Sequence, residues 1–160
     1  MAEARRDAAP APLEEHRRLA AFAGEWAGEE MVYPSRWVEG GAAVSRVVAR
    51  MDLNGFYLIQ ESRQTRNGQE TFATHGLFTY DREDRLYKMF WHDSLGYFAP
   101  APAAGGWTNK TLILVRGSLR GSARHVYEIV DTDTYRLRIQ FSPDAEGWAD
   151  VLTGVYRRLS

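Results

Sequence analysis

The sequence contains no cysteine. Disulfides, zinc–thiolate sites, iron–sulfur clusters and cysteine nucleophiles are therefore excluded. It also lacks a charge excess: 20 Lys and Arg stand against 21 Asp and Glu, a net charge of −1. No basic stripe with interleaved aromatics runs along it, which argues against a nucleic-acid partner. No apolar run approaches the roughly 20 residues of a membrane-spanning helix, so no membrane span is expected. The first residues, MAEARRDAAPAP, carry charge where a signal peptide has an apolar core. These absences together predict a cytoplasmic protein, where the sequon Asn109-Lys110-Thr111 has no meaning. Neither H-x-H nor H-E-x-x-H spacing occurs, and no metal or other cofactor is expected.

What the chain has in quantity is aromatic residues: five Trp, eight Tyr and seven Phe. Such residues suit strands and line apolar pockets. Residues 1–11 are Ala, Pro and charge, and are expected to form a disordered tail, with one domain over 12–160. Leu13, Leu19, Phe22 and Ala23 make a short helical stripe against Glu14, Glu15, Arg17 and Arg18, predicting a helix over about 12–23 that Gly24 ends. Beyond Gly24 the period changes to two. Strands are predicted over 25–33, 42–51, 56–65, 70–80, 85–94, 111–117, 124–130, 134–142 and 148–158. Asn54-Gly55, Asn67-Gly68, 81–84 and 143–147 are turns, and Gly96 to Gly106 is a long loop. Without crossover helices the sheet is antiparallel. Even spacing with tight turns indicates a barrel or a sandwich.

The two ends of the chain favour the barrel. Gly24-Glu25-Trp26 opens the first strand and Tyr156-Arg157-Arg158 closes the last. This pattern resembles the calycins, the superfamily of lipocalins and fatty-acid-binding proteins. It implies an all-β, antiparallel up-and-down barrel of about nine to ten strands with one short N-terminal helix. It also implies that an Arg, either Arg157 or Arg158, packs over Trp26 to close the barrel. Further pieces are HRRLAAFAGEW (His16 to Trp26), GEEMVYPSRW (Gly28 to Trp37), LNGFYLIQE (Leu53 to Glu61), HGLFTYD (His75 to Asp81), KMFWHDSLG (Lys88 to Gly96), DTYRLRIQFSPD (Asp133 to Asp144) and GVYRR (Gly154 to Arg158). In their order and spacing they resemble a bacterial calycin-like group, the domain of unknown function 1579, over about residues 16–159. That family implies a fold and no settled activity. The start GEWAG with Tyr33-Pro34-Ser35 is also similar to nitrobindin-type haem barrels. The histidine that carries haem near their C-terminal strand has no counterpart here, since the last His is His125.

Several side chains are candidates for chemistry. His92 ends a strand before the Gly/Pro loop. His75 falls opposite or near it, so the pair shares a face or opposes it according to a one-residue register choice. Pointing inward, they are acid–base candidates, or part of a metal site completed by Glu61 or Asp93. Pointing outward, they are ordinary surface residues. Glu30 and Glu61 are strand carboxylates, either of which a barrel could bury. Arg46, Arg50, Arg136 and Arg138 are their available partners. Tyr80, Tyr87, Trp91, Tyr97, Phe98 and Trp107 gather around the fifth strand and the loop, either as a lid over an apolar mouth or as core.

The reading favoured by these residues is a binding barrel for a small hydrophobic or amphipathic molecule. Its expected ligand contacts are Glu61, Tyr80, Trp91, His92, Tyr97 and Arg138. The alternatives are a cofactor-free isomerase, cyclase or hydrolase acting inside the barrel through His92 and His75, a haem protein, or a filled barrel serving as a homodimerisation module.

Overall fold

The structure is a computed structural model and describes residues 6–160. Residues 6–11 are irregular and exposed, while the first five residues of the expected tail lie outside the described residues. The helix α1 spans Glu14–Arg18 and continues as a 3₁₀ turn, Leu19–Phe22. Ten strands follow: β1 Gly24–Val32, β2 Gly41–Asp52, β3 Tyr57–Arg66, β4 Gln69–Asp81, β5 Leu86–Asp93, β6 Ala103–Thr108, β7 Thr111–Ser118, β8 Gly121–Asp131, β9 Thr134–Ser142 and β10 Ala149–Arg158. Each pairs antiparallel with its neighbours in sequence. β1 pairs with β10 over Trp26–Val32, which closes the barrel. Closure gives every strand a neighbour on both sides, although not along its whole length. Among the described residues no helix is long and apolar enough to cross a membrane.

The predicted loop over 96–106 was too long. Its second half is β6, AAGGWT, whose small residues carry little strand signal of their own. Pairing with β7 over Ala104–Thr108 makes it a strand. Gly105 is required there, because a Cβ would collide with the Ile113 carbonyl. β6 is short, so it pairs with β5 only over Tyr87–Met89. The far ends of β5 and β7 therefore lack β6 between them.

One end of the barrel is plugged. The N-terminal segment touches all four turns there. Pro12 lies against Gly55, Arg82 donates to the Ala11 carbonyl, Arg18 donates to the Asn109 carbonyl, and Arg158 bridges Ala21 and Thr132 carbonyls. His16 replaces the usual acidic residue of a capping box: its Nδ1 accepts the Leu13 N–H at 2.9 Å. Tyr87 Oη donates to the Glu15 carbonyl at 2.7 Å. Leu19 and Phe22 drive into the barrel, and Phe22 packs on Trp107, Tyr127 and Tyr135. Burial of such side chains contributes roughly 1.5–3 kcal/mol each.

Trp26 is buried at this end, and its indole N–H donates to the Phe22 carbonyl at 3.0 Å. Of the two C-terminal arginines it is Arg158 that covers it, with the guanidinium carbon 4.1 Å from the ring centroid. Arg157 points outward and pairs with Glu29 at 3.6 Å. Gly24, at φ +129°, has no room for a side chain because a Cβ would fall on the Arg158 guanidinium.

Candidate functional site

The inner wall divides into two halves. Toward the plug it is apolar: Phe22, Phe78, Met89, Leu112 and Tyr127 fill it. Toward the open end the same strands present polar groups, with Glu30, Ser45, Gln60, Gln64 and Thr74 all buried. Alternation on β1 turns Trp26, Gly28, Glu30 and Val32 inward, and the Glu30 carboxylate arrives in the open-end half.

Two neutral donors hold it. Tyr156 Oη donates to Oε2, and the Gln64 amide donates to Oε1 at 3.1 Å. Gln64 is itself fixed, accepting from the Thr71 hydroxyl at 3.0 Å. The Tyr156 ring reaches Glu30 by lying across two glycines. Gly28 faces Tyr156 across β1 and β10, and Gly154 faces Glu30. A Cβ at Gly28 would come within 2.6 Å of Tyr156 Cε1, and one at Gly154 within 2.6 Å of its Oη. Ser62 and Thr74 share a 2.6 Å hydrogen bond on the opposite wall, and the Ser45 hydroxyl has no partner.

Burial, and then the Glu30 charge, raises the Tyr156 hydroxyl well above the ordinary phenol range. Tyr135 stacks on Tyr156 at 4.8 Å and is likewise raised, by burial first and then by Tyr127 and Glu30. Near neutral pH both phenols are donors of hydrogen bonds rather than bases or nucleophiles. Glu30, Gln60, Gln64, Phe72, Trp91, Tyr135, Leu152 and Tyr156 enclose a cavity of about 20 Å³. That volume holds about one water molecule. A broader hollow between the Thr108–Thr111 turn and Glu128–Val130 is open to solvent and gathers no buried polar group.

A second polar cluster lies where β6 is missing between β5 and β7. The Trp91 indole donates to Asp93 at 2.9 Å and packs on the His125 ring at 4.7 Å. Arg116 sits diagonally from His125 on the inner face. His125 is fully buried with no partner for Nδ1. Burial, aided by the Arg116 charge, pushes its pKa down to about 3, so it is neutral.

The sequence-predicted residues fall unevenly on this picture. Trp91 lines the interior cavity. Tyr80 is half-buried, but at the plugged end, edge-on to His16. Tyr97 stands on the open rim, 6.0 Å from Trp37 and under Arg120. Glu61, His75 and His92 form a row across β3, β4 and β5, paired Glu61 to His75 to His92, and all three are exposed on the outer wall. Of the two facings left open by the sequence, the outward one holds, and the alternative of an acid–base pair inside the barrel does not. Lys88 and Phe90 share that outer face with His92, whereas Tyr87, Met89 and Trp91 turn inward. Arg138 is also outside, 3.4 Å from Asp150. Arg136 and Arg50 pair on the surface with Glu128 and Asp52, and none of these arginines reaches Glu30. Among the described residues no three His, Asp or Glu side chains converge on a metal position. A haem does not fit a cavity of about 20 Å³.

Tyr156, Gln64, His125 and Arg116 were not among the sequence candidates. The signals were present in Gly154-Val155-Tyr156 opposite Gly28, and in Leu112, Leu114 and Arg116 on one face. Without the strand pairing they could not be connected to Glu30 or to each other.

A family model described as "Protein of unknown function (DUF1579)" matches residues 11–158. Among curated proteins none matches the sequence. Among the solved structures that share the fold are the following two. Rv2717c from M. tuberculosis superimposes with a TM-score of 0.70 at 14% identity, covering 92% of this chain and 99% of that one. An S-type phycobiliprotein lyase, CPES from Guillardia theta, gives a TM-score of 0.64 at 10% identity, covering 93% of this chain and 99% of that one. At these identities the likeness is one of fold, a closed antiparallel barrel.

Proposed function

The chain belongs to the DUF1579 family, whose name carries no activity, and on that premise we propose that it is a barrel that binds a small amphipathic molecule in its open half. The observation that carries this reading is the asymmetry of the interior. The plugged half is filled with aromatic and aliphatic side chains. The open half holds a buried carboxylate and amides beneath a rim of Trp37, Leu95, Tyr97 and Phe98, all exposed. Burying polar groups costs stability, and a purely structural barrel would be better served by apolar ones.

The cavity of about 20 Å³ is too small for such a ligand, so binding requires side chains to move. Phe72 is half-buried at the rim side of the cavity, beside the irregularity where Gln64 and Thr65 shift register against β4. It is the side chain best placed to swing out. The 94–102 loop supplies Leu95, Tyr97 and Phe98 to the apolar rim. The absence of cysteine suits the cytoplasmic setting included in this proposal. His75 and His92, exposed on the outer wall, have no part in it.

Native mass spectrometry after incubation with a metabolite extract of the host tests the reading. A retained adduct of defined mass is the expected result. A bare protein, under conditions that preserve other barrel complexes, would leave the filled-barrel alternative in its place.

A further inference from the structure

The inner carboxylate has a property that narrows the chemistry of the ligand. Glu30 is 9% exposed, and both of its recorded donors, Tyr156 Oη and the Gln64 amide, are neutral. None of the ion pairs among the described residues includes it. The charged side chains nearest in purpose are committed elsewhere. Arg158 is spent on carbonyls at the plugged end, and Arg116 lies by Asp93 beside the β6 gap. The rest of the lining is the aromatic set Phe72, Trp91, Tyr135 and Tyr156, several aliphatic side chains such as Val47 and Leu152, and small polar groups, and it contains no Lys, Arg or His.

A buried carboxylate without a cation is costly, and the cost is recovered when a cation arrives with good geometry. Aromatic faces around the same point add attraction for a positive charge, most strongly when water is excluded. A carboxylate beside stacked Tyr135 and Tyr156, with Trp91 and Phe72 on the facing side of the same cavity, therefore suits a positively charged nitrogen on an apolar body. An anionic headgroup would meet Glu30 unshielded.

We infer that the interior site takes an organic cation, a primary or secondary alkylammonium, with its charge on Glu30 and its apolar body toward Phe72 and the rim. This rests on the binding function proposed above and adds the class of ligand. It differs from the carboxylate ligands that the resemblance to fatty-acid-binding proteins would suggest.

The test compares three probes that share a phenylethyl body, 2-phenylethylammonium, 2-phenylethanol and 3-phenylpropanoate, titrated into the full chain by calorimetry and tryptophan fluorescence. The ammonium is expected to saturate a single site and to bind at least about tenfold more tightly than the other two, as a charge-assisted contact requires. Glu30→Gln keeps the shape and removes the charge. It is expected to erase the preference, bringing the ammonium to the level of the alcohol. Phe72→Ala is expected to tighten all three by opening the cavity while keeping their order. Equal or tighter binding of the alcohol or the propanoate would overturn the cation assignment and leave the binding function standing. No binding of any probe to wild type or to Phe72→Ala would also overturn it, and only a bare protein in the metabolite experiment would remove the binding function with it. The comparison on the wild-type chain decides the assignment whether or not Glu30→Gln folds.

Discussion

Arg158 lies over the indole of Trp26 at 4.1 Å and donates to the Ala23 carbonyl at 2.6 Å and to the Thr132 carbonyl at 3.0 Å. One side chain thus joins the last strand, the first strand, the 3₁₀ turn and the β8–β9 turn. It satisfies carbonyls that the end of the helical segment leaves without partners.

Arg158→Ala is therefore expected to destabilise the fold by roughly 2 kcal/mol or more, because it removes a cation–π contact and several charge-assisted bonds together. Arg157→Ala, which loses one exposed ion pair, should stay within about 0.5 kcal/mol of wild type. Urea unfolding of the two variants measures the difference. Equal effects would contradict the assignment of Arg158 as the closing residue.

Tyr156→Phe removes one donor from the buried Glu30 carboxylate and is expected to cost about 1–3 kcal/mol. In Glu30→Gln the same change should cost less, since no charge is left short of a donor. A double-mutant cycle measures this coupling. Additive effects would mean that the hydroxyl does not serve the carboxylate.

Acid sensitivity should come from His125. Its folded pKa, about 3, lies below its ordinary value of 6.5. The unfolded chain therefore takes up a proton that the folded chain refuses. The stability tied to the neutral ring is complete above pH 6.5 and is lost as the pH falls toward about 3. The slope approaches ~1.4 kcal/mol per pH unit within that window. His16, lowered chiefly by burial, acts in the same sense. Asp81 and Asp144, lowered by hydrogen bonds to Lys88 and to backbone N–H groups respectively, also lose their contribution in acid, but only as the pH falls through the ordinary carboxylate range and below it. Unfolding curves between pH 7 and pH 5 should thus be flatter for His125→Phe than for wild type. Parallel curves would remove His125 from the account.

His75→Ala and His92→Ala, separately or together, should change neither stability by more than about 0.5 kcal/mol nor any binding inside the barrel, because both rings stand on the outer wall. A loss of ligand binding in the double variant, with the fold intact by circular dichroism, would place them back in the site.

Gly154→Ala sets a methyl group against the Tyr156 hydroxyl and ring. Overpacking of this kind costs roughly 1–3 kcal/mol. Combining it with Tyr156→Leu should recover part of the loss, and thermal melts of the pair would reveal whether it does.

Nine of the ten strands, the antiparallel order, the N-terminal helix and the barrel ends were legible in the chain. Alternation, turn residues and the Gly24-x-Trp26 start are local signals, and they survive any uncertainty about pairing. The tertiary structure alone decided which face of each strand turns inward. A period of two looks the same after a one-residue shift, yet that shift exchanges inside for outside. Glu30 and Glu61 stand in similar alternating segments, and only the register of β1 against β10 and of β3 against β4 buries the first and exposes the second. β6 likewise exists because β7 offers it a ladder of hydrogen bonds, not because Ala, Gly and Trp in that order prefer to be extended. The composition determined that a barrel could form. Which polar groups it encloses was set by closure, which fixes every register at once.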